Sequence, residues 1–432
     1  VSAGPDAEPL RIMIVTDQYA PMVGGVPTVT RELARGLAER GHRVSVVVPA
    51  TSWRTKAKAK AAKADAEPDA PAAAGEPAVI RGRSVRWPWY EGARLGLLSP
   101  GTARSLLAKG APGRPGVVHV HSPLTLGLAA RRAARKHGIP LVYTNHYLPA
   151  NVHPTPDQGV GRTPRGGTVF DALFYRYLTW FASGCDLVTA PSQTALGLLR
   201  GHGLRARSEV VSNGVDLGTY AAGPPDSDLA ARYGIPCEGD DTPPVVLCVG
   251  RLSPEKRADL LIEALSLMAD ASVVLVLAGT GPDERRLRDR AASLNVAARV
   301  RFTGYVQPAD LPGLYRLGTV FAVASEAELQ SLVTMEAMAA ALPVVAVAAG
   351  ALPELVKHGE NGMLARPGDA EGLAAALGQL CRDKDLRTAM GASSLRMIAA
   401  HDRHCQLARW EFLYRTLAPS GTDQAKVSDG HP

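Results

Sequence analysis

The sequence predicts an α/β protein built as two parallel-sheet domains, and three observations carry that prediction. At 432 residues the chain exceeds what one ordinary core serves and suits two domains of roughly 200 residues each. Short apolar runs alternate with helix-period stretches along most of its length, the pattern of βαβ units. That alternation breaks over 221–242 (AAGPPDSDLAARYGIPCEGDDT), where Pro, Gly and acids crowd together before a second strand-first unit opens. Two such domains imply a cleft between them.

The elements run in order. RIMIV (11–15) is an apolar run ending in the polar, glycine-bearing TDQYAPMVGGVP, and a helix-period stretch occupies 29–40. Gly41 closes that helix and VSVVVP is the next strand, giving a βαβ unit of about thirty residues. Residues 56–77 are Ala, Lys, Asp, Glu and Pro with hardly any larger apolar side chain, so 54–78 reads as a mobile surface insertion. VVHVH (117–121), a helix at 124–137, LVYTNH (141–146), a Pro/Gly-rich loop at 149–167, an aromatic-bearing helix near 168–183, DLVTAPS and EVVSNGVD complete a first domain at 10–222, behind a disordered start at 1–9. The second domain, 223–398, opens on PVVLCVGRLSPEKRADLLIEAL and continues through VVLVLAG, RVRFTG, TVFAVA and LPVVAVA. A last helix, near 394–417, carries Trp410, Phe412 and Tyr414. Its segment 399–418 is expected to pack back across the domain junction, ahead of a disordered tail at 419–432.

Composition narrows the function. No run of about eighteen apolar residues exists to cross a bilayer, and the polar, acidic start VSAGPDAEPL lacks the form of a secretory signal, so a cytoplasmic protein is expected. Cys185, Cys237, Cys248, Cys381 and Cys405 are odd in number and show no CxxC spacing, against both a disulfide framework and a zinc site. A net charge of +7 suits an anionic ligand, an acidic membrane surface or nucleic acid. Nucleic acid fits least, because no Lys/Arg stripe with interleaved aromatics is present.

In open parallel sheets ligands gather at the carboxyl ends of strands, and four loops there draw attention. In GGV, the glycines Gly24 and Gly25 let backbone N–H groups approach an anion; a plain tight turn reads equally well. In GRLSPEK, Arg251 and Lys256 lie just beyond a strand, where paired cations neutralise a departing diphosphate without a metal; a solvated surface pair is the alternative. In ASEAELQSLVTMEAMAAALPVVAV, Glu328 lies in the turn, suited to sugar hydroxyls. Glu336 lies within the next helix, suited to a ribose diol, and the amides of Ser331, Leu332 and Val333 are placed for phosphate. The alternative is a solvated glutamate plus one favoured near a helix N-terminus. In TNHYLPAN, His146 sits where an acceptor could reach, though a lone strand-end histidine is more often structural. His119 and His121 share a strand face, but no third metal ligand is in obvious register.

Together these motifs resemble glycosyltransferase family 4 over about 11–369. PMVGGV, NHYLP, VTAPSQTA, SNGVD, GRLSPEK, AGTGPDERRL, FTGYV, the Glu328/Glu336 pair and ALPELVKHGENGML stand in that family's order and spacing. The resemblance implies a GT-B fold: two Rossmann-like parallel α/β domains facing a central cleft, with the C-terminal helix crossing back to the first. It further implies retaining, metal-independent transfer with no cofactor beyond the nucleotide-sugar co-substrate, the donor held mainly by the second domain and the acceptor by the first. By the same carry-over Arg251 and Lys256 hold the diphosphate, Glu328 the donor sugar, Glu336 the ribose, Gly25 a phosphate from across the cleft, and the backbone near Tyr305 and Val306 the base. His146 would lie beside the reacting carbon, and Asn145, His146, Tyr147 and Asn151 would meet the acceptor. Retention through an internal return is what the family mechanism implies.

ELQSLVTMEAMA and NHYLPAN look closest to the branch containing diacylglycerol glucosyltransferases, which points to UDP-glucose as donor. Two departures stand out. Ser331 occupies a position where glycine is frequent, and Ala341 stands where glycine usually precedes Leu-Pro, calling for a slightly different turn. The expected acceptor is a small metabolite such as an aminocyclitol, or a lipid. The lipid version predicts a basic, apolar surface near Arg131, Arg132, Arg135 and Lys136 with Arg162 and Arg165, and peripheral membrane contact. The metabolite version predicts acids such as Asp157 and Asp171 near the acceptor. A regulator that binds nucleotide-sugars without catalysis is the competing class, disfavoured by the full set of charged donor residues. A Rossmann dehydrogenase is disfavoured because PMVGGVP lacks GxGxxG.

Overall fold

The computed structural model describes residues 8–22, 24–50, 75–86, 94–97, 114–149, 169–237 and 242–418. Asn151, Asp157, Arg162, Arg165, most of the 54–78 insertion and the 419–432 tail lie outside the described residues. The chain forms two compact units, divided between Ser212 and Asn213 and again between Cys405 and Gln406.

Unit 1 contains β1 (Arg11–Val15), α1 (Gly25–Glu39), β2 (Arg43–Pro49), β3 (Ala78–Arg86), β4 (Arg94–Leu97), β5 (Val117–Val120), α2 (Thr125–His137), β6 (Leu141–Thr144), α3 (Val169–Ala182), β7 (Leu187–Ala190), α4 (Gln193–Gly201) and β8 (Ser208–Val210). Its eight strands run β4-β3-β2-β1-β5-β6-β7-β8, parallel except for the antiparallel β3–β4 pair at one edge. The central strands read as continuous apolar runs because helices cover both faces of a parallel sheet. Helix α1 buries Val29, Leu33 and Leu37 at four-residue spacing. It begins at Gly25 rather than near 29. Gly24 caps it at φ +156°, and Pro27, lacking an N–H, fits a first turn whose N–H groups have no helical partner. The chain winds outward from β1 through β2 to β4, then restarts at β5 on the other side, which makes the β1/β5 boundary a topological switch point.

Unit 2 contains α5 (Ser227–Tyr233), β9 (Val245–Val249), α6 (Ala258–Leu267), β10 (Val274–Ala278), α7 (Glu284–Ser293), β11 (Val300–Gly304), α8 (Leu311–Arg316), β12 (Val320–Val323), α9 (Leu332–Ala339), β13 (Val344–Val347), α10 (Leu352–Leu355), β14 (Gly362–Ala365), α11 (Ala370–Arg382) and α12 (Lys384–Ile398). Its six strands are all parallel in the order β11-β10-β9-β12-β13-β14, with the switch point between β9 and β12. The unit starts earlier than the composition break at 221–242 because the Val215 N–H donates to the His401 carbonyl, that of Arg403 donates to Val215, and Val215 is buried in this core.

The last helix, α13 (Arg403–Leu417), is not continuous with 394–402. Chain direction changes at Asp402, whose carboxylate accepts the His404 N–H at 2.8 Å and starts a new helix. From Gln406 onward α13 belongs to unit 1, where Leu407, Trp410, Leu413 and Tyr414 share a core with Leu33, Leu37, Val44 and Val46. Gly36 makes room for this: a Cβ there would stand 2.5 Å from Leu407 Cδ1. Glu411 accepts from Arg40 and pairs with His42, each at 3.0 Å.

Candidate active site

In unit 2 the loops after β9 and β12 flank the switch point and hold the charged residues picked out in the sequence. The β9 strand leads through Gly250 into a 3-10 turn at Pro254–Lys256. Lys256 Nζ donates to Glu328 Oε1 at 2.6 Å, so the expected diphosphate ligand and the expected sugar ligand form one ion pair. Arg251 Nη2 meets Glu255 Oε1 at 2.7 Å, and the Ser253 hydroxyl donates to the same oxygen at 2.6 Å. Burial would push the Lys256 ammonium down, but the charge and hydrogen bond of Glu328, with Glu255 behind, outweigh it and raise the pKa. Lys256 is therefore a cation held at the carboxyl end of the sheet.

Close backbone approach fixes this geometry. A Cβ on Gly279 would stand 2.0 Å from the Gly250 carbonyl oxygen, and one on Gly281 equally close to that of Leu252. These glycines of AGTG let the loop after β10 lie against the Arg251 loop, with the Leu252 N–H donating to Thr280 O at 3.0 Å. Gly350, at φ +54°, backs Glu328 in the same way: the Ala351 N–H donates to Glu328 O at 2.9 Å.

Glu336 is half-buried on α9 and accepts the Tyr315 hydroxyl at 2.7 Å. Burial raises its pKa, against hydrogen bonds from Tyr315 and Tyr220. Glu328 and Glu336 both follow β12, in the loop and the helix that flank the switch point. Ser331 is the buried N-cap residue of α9 and receives the Thr334 hydroxyl at 2.8 Å; Leu332 and Val333 supply the first helical N–H groups behind it. Tyr305, 45% exposed, and buried Val306 come directly after β11 on the same edge of the sheet. Ala341 keeps the left-handed turn that glycine usually provides, at φ +60°, so the altered turn expected there does not occur. Gly391 accommodates it, since a Cβ there would stand 2.2 Å from the Ala341 carbonyl oxygen.

Unit 1 carries a polar cluster at its own switch point. Asn145, His146 and Tyr147 come directly after β6. The Tyr143 hydroxyl and the Tyr147 N–H both donate to Asn145 Oδ1, at 2.9 and 3.2 Å, and Tyr147 OH contacts Ser122 Oγ at 2.8 Å. Gly24 and Gly25 begin α1 beyond β1. His121 Nδ1 bonds His146 Nε2 at 2.9 Å with the rings stacked, and the His119 ring lies 4.0 Å from that of His121. His119 is held by Tyr414 OH at 2.7 Å and Thr144 Oγ1 at 2.6 Å. His146 thus joins the His119/His121 pair, which sequence spacing leaves without a third member. The ring nitrogens are largely spent on one another and on hydroxyls, and no set of ligating residues for a metal forms among the described residues. Burial holds His146 down to about 4 and both other histidines well below their usual value.

Asp17 is a buried member of this polar cluster that sequence reasoning missed. It lies just beyond β1, 3% exposed, with its N–H donating to Ser122 Oγ at 3.0 Å and its Oδ1 accepting the Gly96 N–H at 2.9 Å. Its Oδ2 is buried without a hydrogen-bond partner among the described residues, and burial pushes the carboxyl up to about 7. The one available signal is position, the second residue after a central strand in TDQ. Arg131, expected at a basic surface, is instead buried with its guanidinium 4.4 Å over the Trp180 ring.

Comparison with known proteins identifies the family. The model of Glycosyltransferase Family 4 matches residues 23–219, and that of glycosyl transferases group 1 matches 238–396. A D-inositol 3-phosphate glycosyltransferase of Acidothermus cellulolyticus is 30% identical over 416 residues, 88% of this chain and 84% of the relative. The chain belongs to glycosyltransferase family 4. A GDP-mannose-dependent alpha-(1-6)-phosphatidylinositol monomannoside mannosyltransferase of Mycobacterium tuberculosis is 28% identical to this family 4 glycosyltransferase over 430 residues, 96% of this chain and 100% of the relative. Among solved structures, Anabaena HepE in complex with UDP and glucose matches with a TM-score of 0.71 at 22% identity, covering 94% of this chain and 100% of that one. Sucrose-phosphate synthase of Thermosynechococcus elongatus matches at 0.73 and 22%, covering 94% and 98%. The glycosyltransferase has the GT-B fold.

Proposed function

We propose that this glycosyltransferase moves a hexose, with retention and without a metal, from a nucleoside diphosphate sugar to a hydroxyl of a polyol metabolite or a lipid headgroup. The observation that carries it is the Lys256–Glu328 pair beside Arg251 at the unit 2 switch point. Breaking the bond from the anomeric carbon to its phosphate oxygen adds one negative charge to the two that the diphosphate already carries. Arg251 and Lys256 neutralise them, the task a metal would otherwise serve, while Glu328 accepts from sugar hydroxyls. In the internal-return path the acceptor hydroxyl enters on the face the diphosphate leaves, forming the new bond to the anomeric carbon, and its proton passes to the departing phosphate oxygen. Glu336 takes the ribose, the amides of Leu332 and Val333 the phosphate and the backbone at Tyr305 and Val306 the base.

The acceptor in this reading lies on unit 1 against Asn145, His146 and Tyr147, with Gly24 and Gly25 offering amides to phosphate. The neutral hydroxyls and amide gathered there suit a polyol, in keeping with relatives whose names carry inositol phosphate and phosphatidylinositol mannoside. UDP-glucose is the donor proposed. Thermal shift with UDP-glucose and GDP-mannose tests the base, because ligand bound to the native state raises stability by mass action. Lys256→Ala and Glu328→Ala should each lower turnover at least about a hundredfold, the scale of one lost transition-state contact. Near-normal turnover in either variant overturns the assignment.

A further inference from the structure

Helix α3 is apolar on two sides. Tyr175, Leu178, Thr179, Phe181 and Ala182 face the unit 1 core, as expected of a helix covering a sheet. Yet Val169, Leu173 and Trp180 are 77, 59 and 54% exposed, and their spacing of four and seven residues aligns them in one stripe. An exposed apolar stripe costs solubility unless something covers it.

The stripe has a cationic flank. Arg176 is exposed within the stripe itself, three residues after Leu173 and four before Trp180, and beside it α2 exposes Arg132, Arg135 and Lys136 in its last two turns. Arg131 ties the helices together, its guanidinium over Trp180 and lodged where Gly184 has no side chain, since a Cβ there would lie 2.1 Å from Nη2. None of Arg132, Arg135, Lys136 and Arg176 has an ion-pair partner among the described residues.

We infer that the exposed stripe of α3, flanked by the cations of α2, is a docking surface for an anionic lipid bilayer. Apolar side chains on one helix line with cations beside them match an acyl boundary under acidic headgroups. Contact with a second copy would set like charges against each other across a twofold axis, which disfavours self-association. The inference does not rest on the transfer reaction, and its test needs no donor or acceptor.

Flotation of the full chain with vesicles of phosphatidylcholine alone, and of phosphatidylcholine mixed with phosphatidylglycerol, provides that test. Binding should occur with the anionic vesicles only and weaken in high salt. Leu173→Asp should reduce it at least about tenfold, the scale of one leucine kept from burial. Val169→Asp should act likewise, and the paired change Arg132→Gln with Lys136→Gln should weaken it too. Phe412→Asp, an equally exposed aromatic on α13, should leave binding unchanged. All these positions are exposed, so each variant should melt with the wild type. Failure of the wild type to float, flotation unaffected by Leu173→Asp, or a dimer in light scattering that Leu173→Asp dissolves would each overturn the inference.

Discussion

Replacing Asp17 by asparagine should stabilise unit 1 above neutral pH and leave it unchanged in acid. Burial moves this carboxyl from 3.8 to about 7, against the lowering pull of the Gly96 amide, which donates to it, and of the Leu126 amide. Unfolded, the group loses its proton near 3.8; folded, it keeps it to about 7. Below the lower value both states are protonated and the site costs nothing. Between the two, folding takes up a proton, so stability falls as pH rises; above the upper value the cost is complete. A gap of about three units at about 1.36 kcal/mol each sets a ceiling of about 4 kcal/mol, reduced by any water that reaches the site. Asparagine keeps an oxygen for the Gly96 N–H and never ionises. Trp180 and Trp410 lie in unit 1 and the sequence has no tryptophan between 213 and 405, so tryptophan fluorescence in urea reports the unfolding of unit 1. The variant should match the wild type near pH 4 and exceed it by about 2 to 4 kcal/mol near pH 8.5. Taking the difference cancels the histidines, which titrate in both proteins. A gain independent of pH would refute the reasoning, because it would mean that the carboxyl ionises in the folded state as it does in the unfolded one.

Three other outcomes are expected. His119, His121 and His146 are neutral when folded but take up protons near 6.5 when unfolded, so stability should fall as pH drops below that value. His121→Gln should flatten this slope by about 1.4 kcal/mol per pH unit, one proton's worth, in urea titrations between about pH 4.5 and 6; an unchanged slope counts against a neutral His121. A double-mutant cycle on Lys256→Ala and Glu328→Ala, read by calorimetry, should give a coupling of about 1 to 2 kcal/mol. That is below a fully buried pair because the Lys256 side chain is 35% exposed, and additive losses would argue against the pair. Ala341→Gly should raise stability by up to about 1 kcal/mol by relieving a left-handed alanine, whereas a loss would show that Gly391 packs against the methyl's neighbours differently.

The donor half is the more legible in the sequence for a physical reason. Arg251, Lys256 and Glu328 come after uninterrupted apolar strands, and parallel strands deliver their trailing loops to one edge of the sheet, so order along the chain already implies proximity. Their pairing is not legible, because a 2.6 Å contact between loops distant in sequence depends on how Gly279, Gly281 and Gly350 let backbones close up. Asp17 is hidden because its character comes from burial by Gly96 and Ser122, which no local pattern encodes. The true start of helix α1 is masked because Gly25-Val26-Pro27 reads as a turn, although proline suits a first helical turn. The edge strand β4 and its neighbour β3, with Arg94, Arg81 and Arg83, lack the apolar run that marks the inner strands.

Leu407, Trp410, Leu413 and Tyr414 enter the core of unit 1 from a segment encoded after the whole of unit 2. On the ribosome, chains fold vectorially as they emerge, and domains encoded first usually finish first. Here that order is inverted. The apolar face of α1 and the Gly36 notch must wait, exposed, while unit 2 is made and can close its own sheet. In the nascent chain every residue of unit 2, with the strands at the Lys256 site, is therefore present before the half carrying the His146 cluster is complete. Tyr414, which holds His119, is among the last core residues to arrive, so His146 acquires its final surroundings only when synthesis has passed that helix.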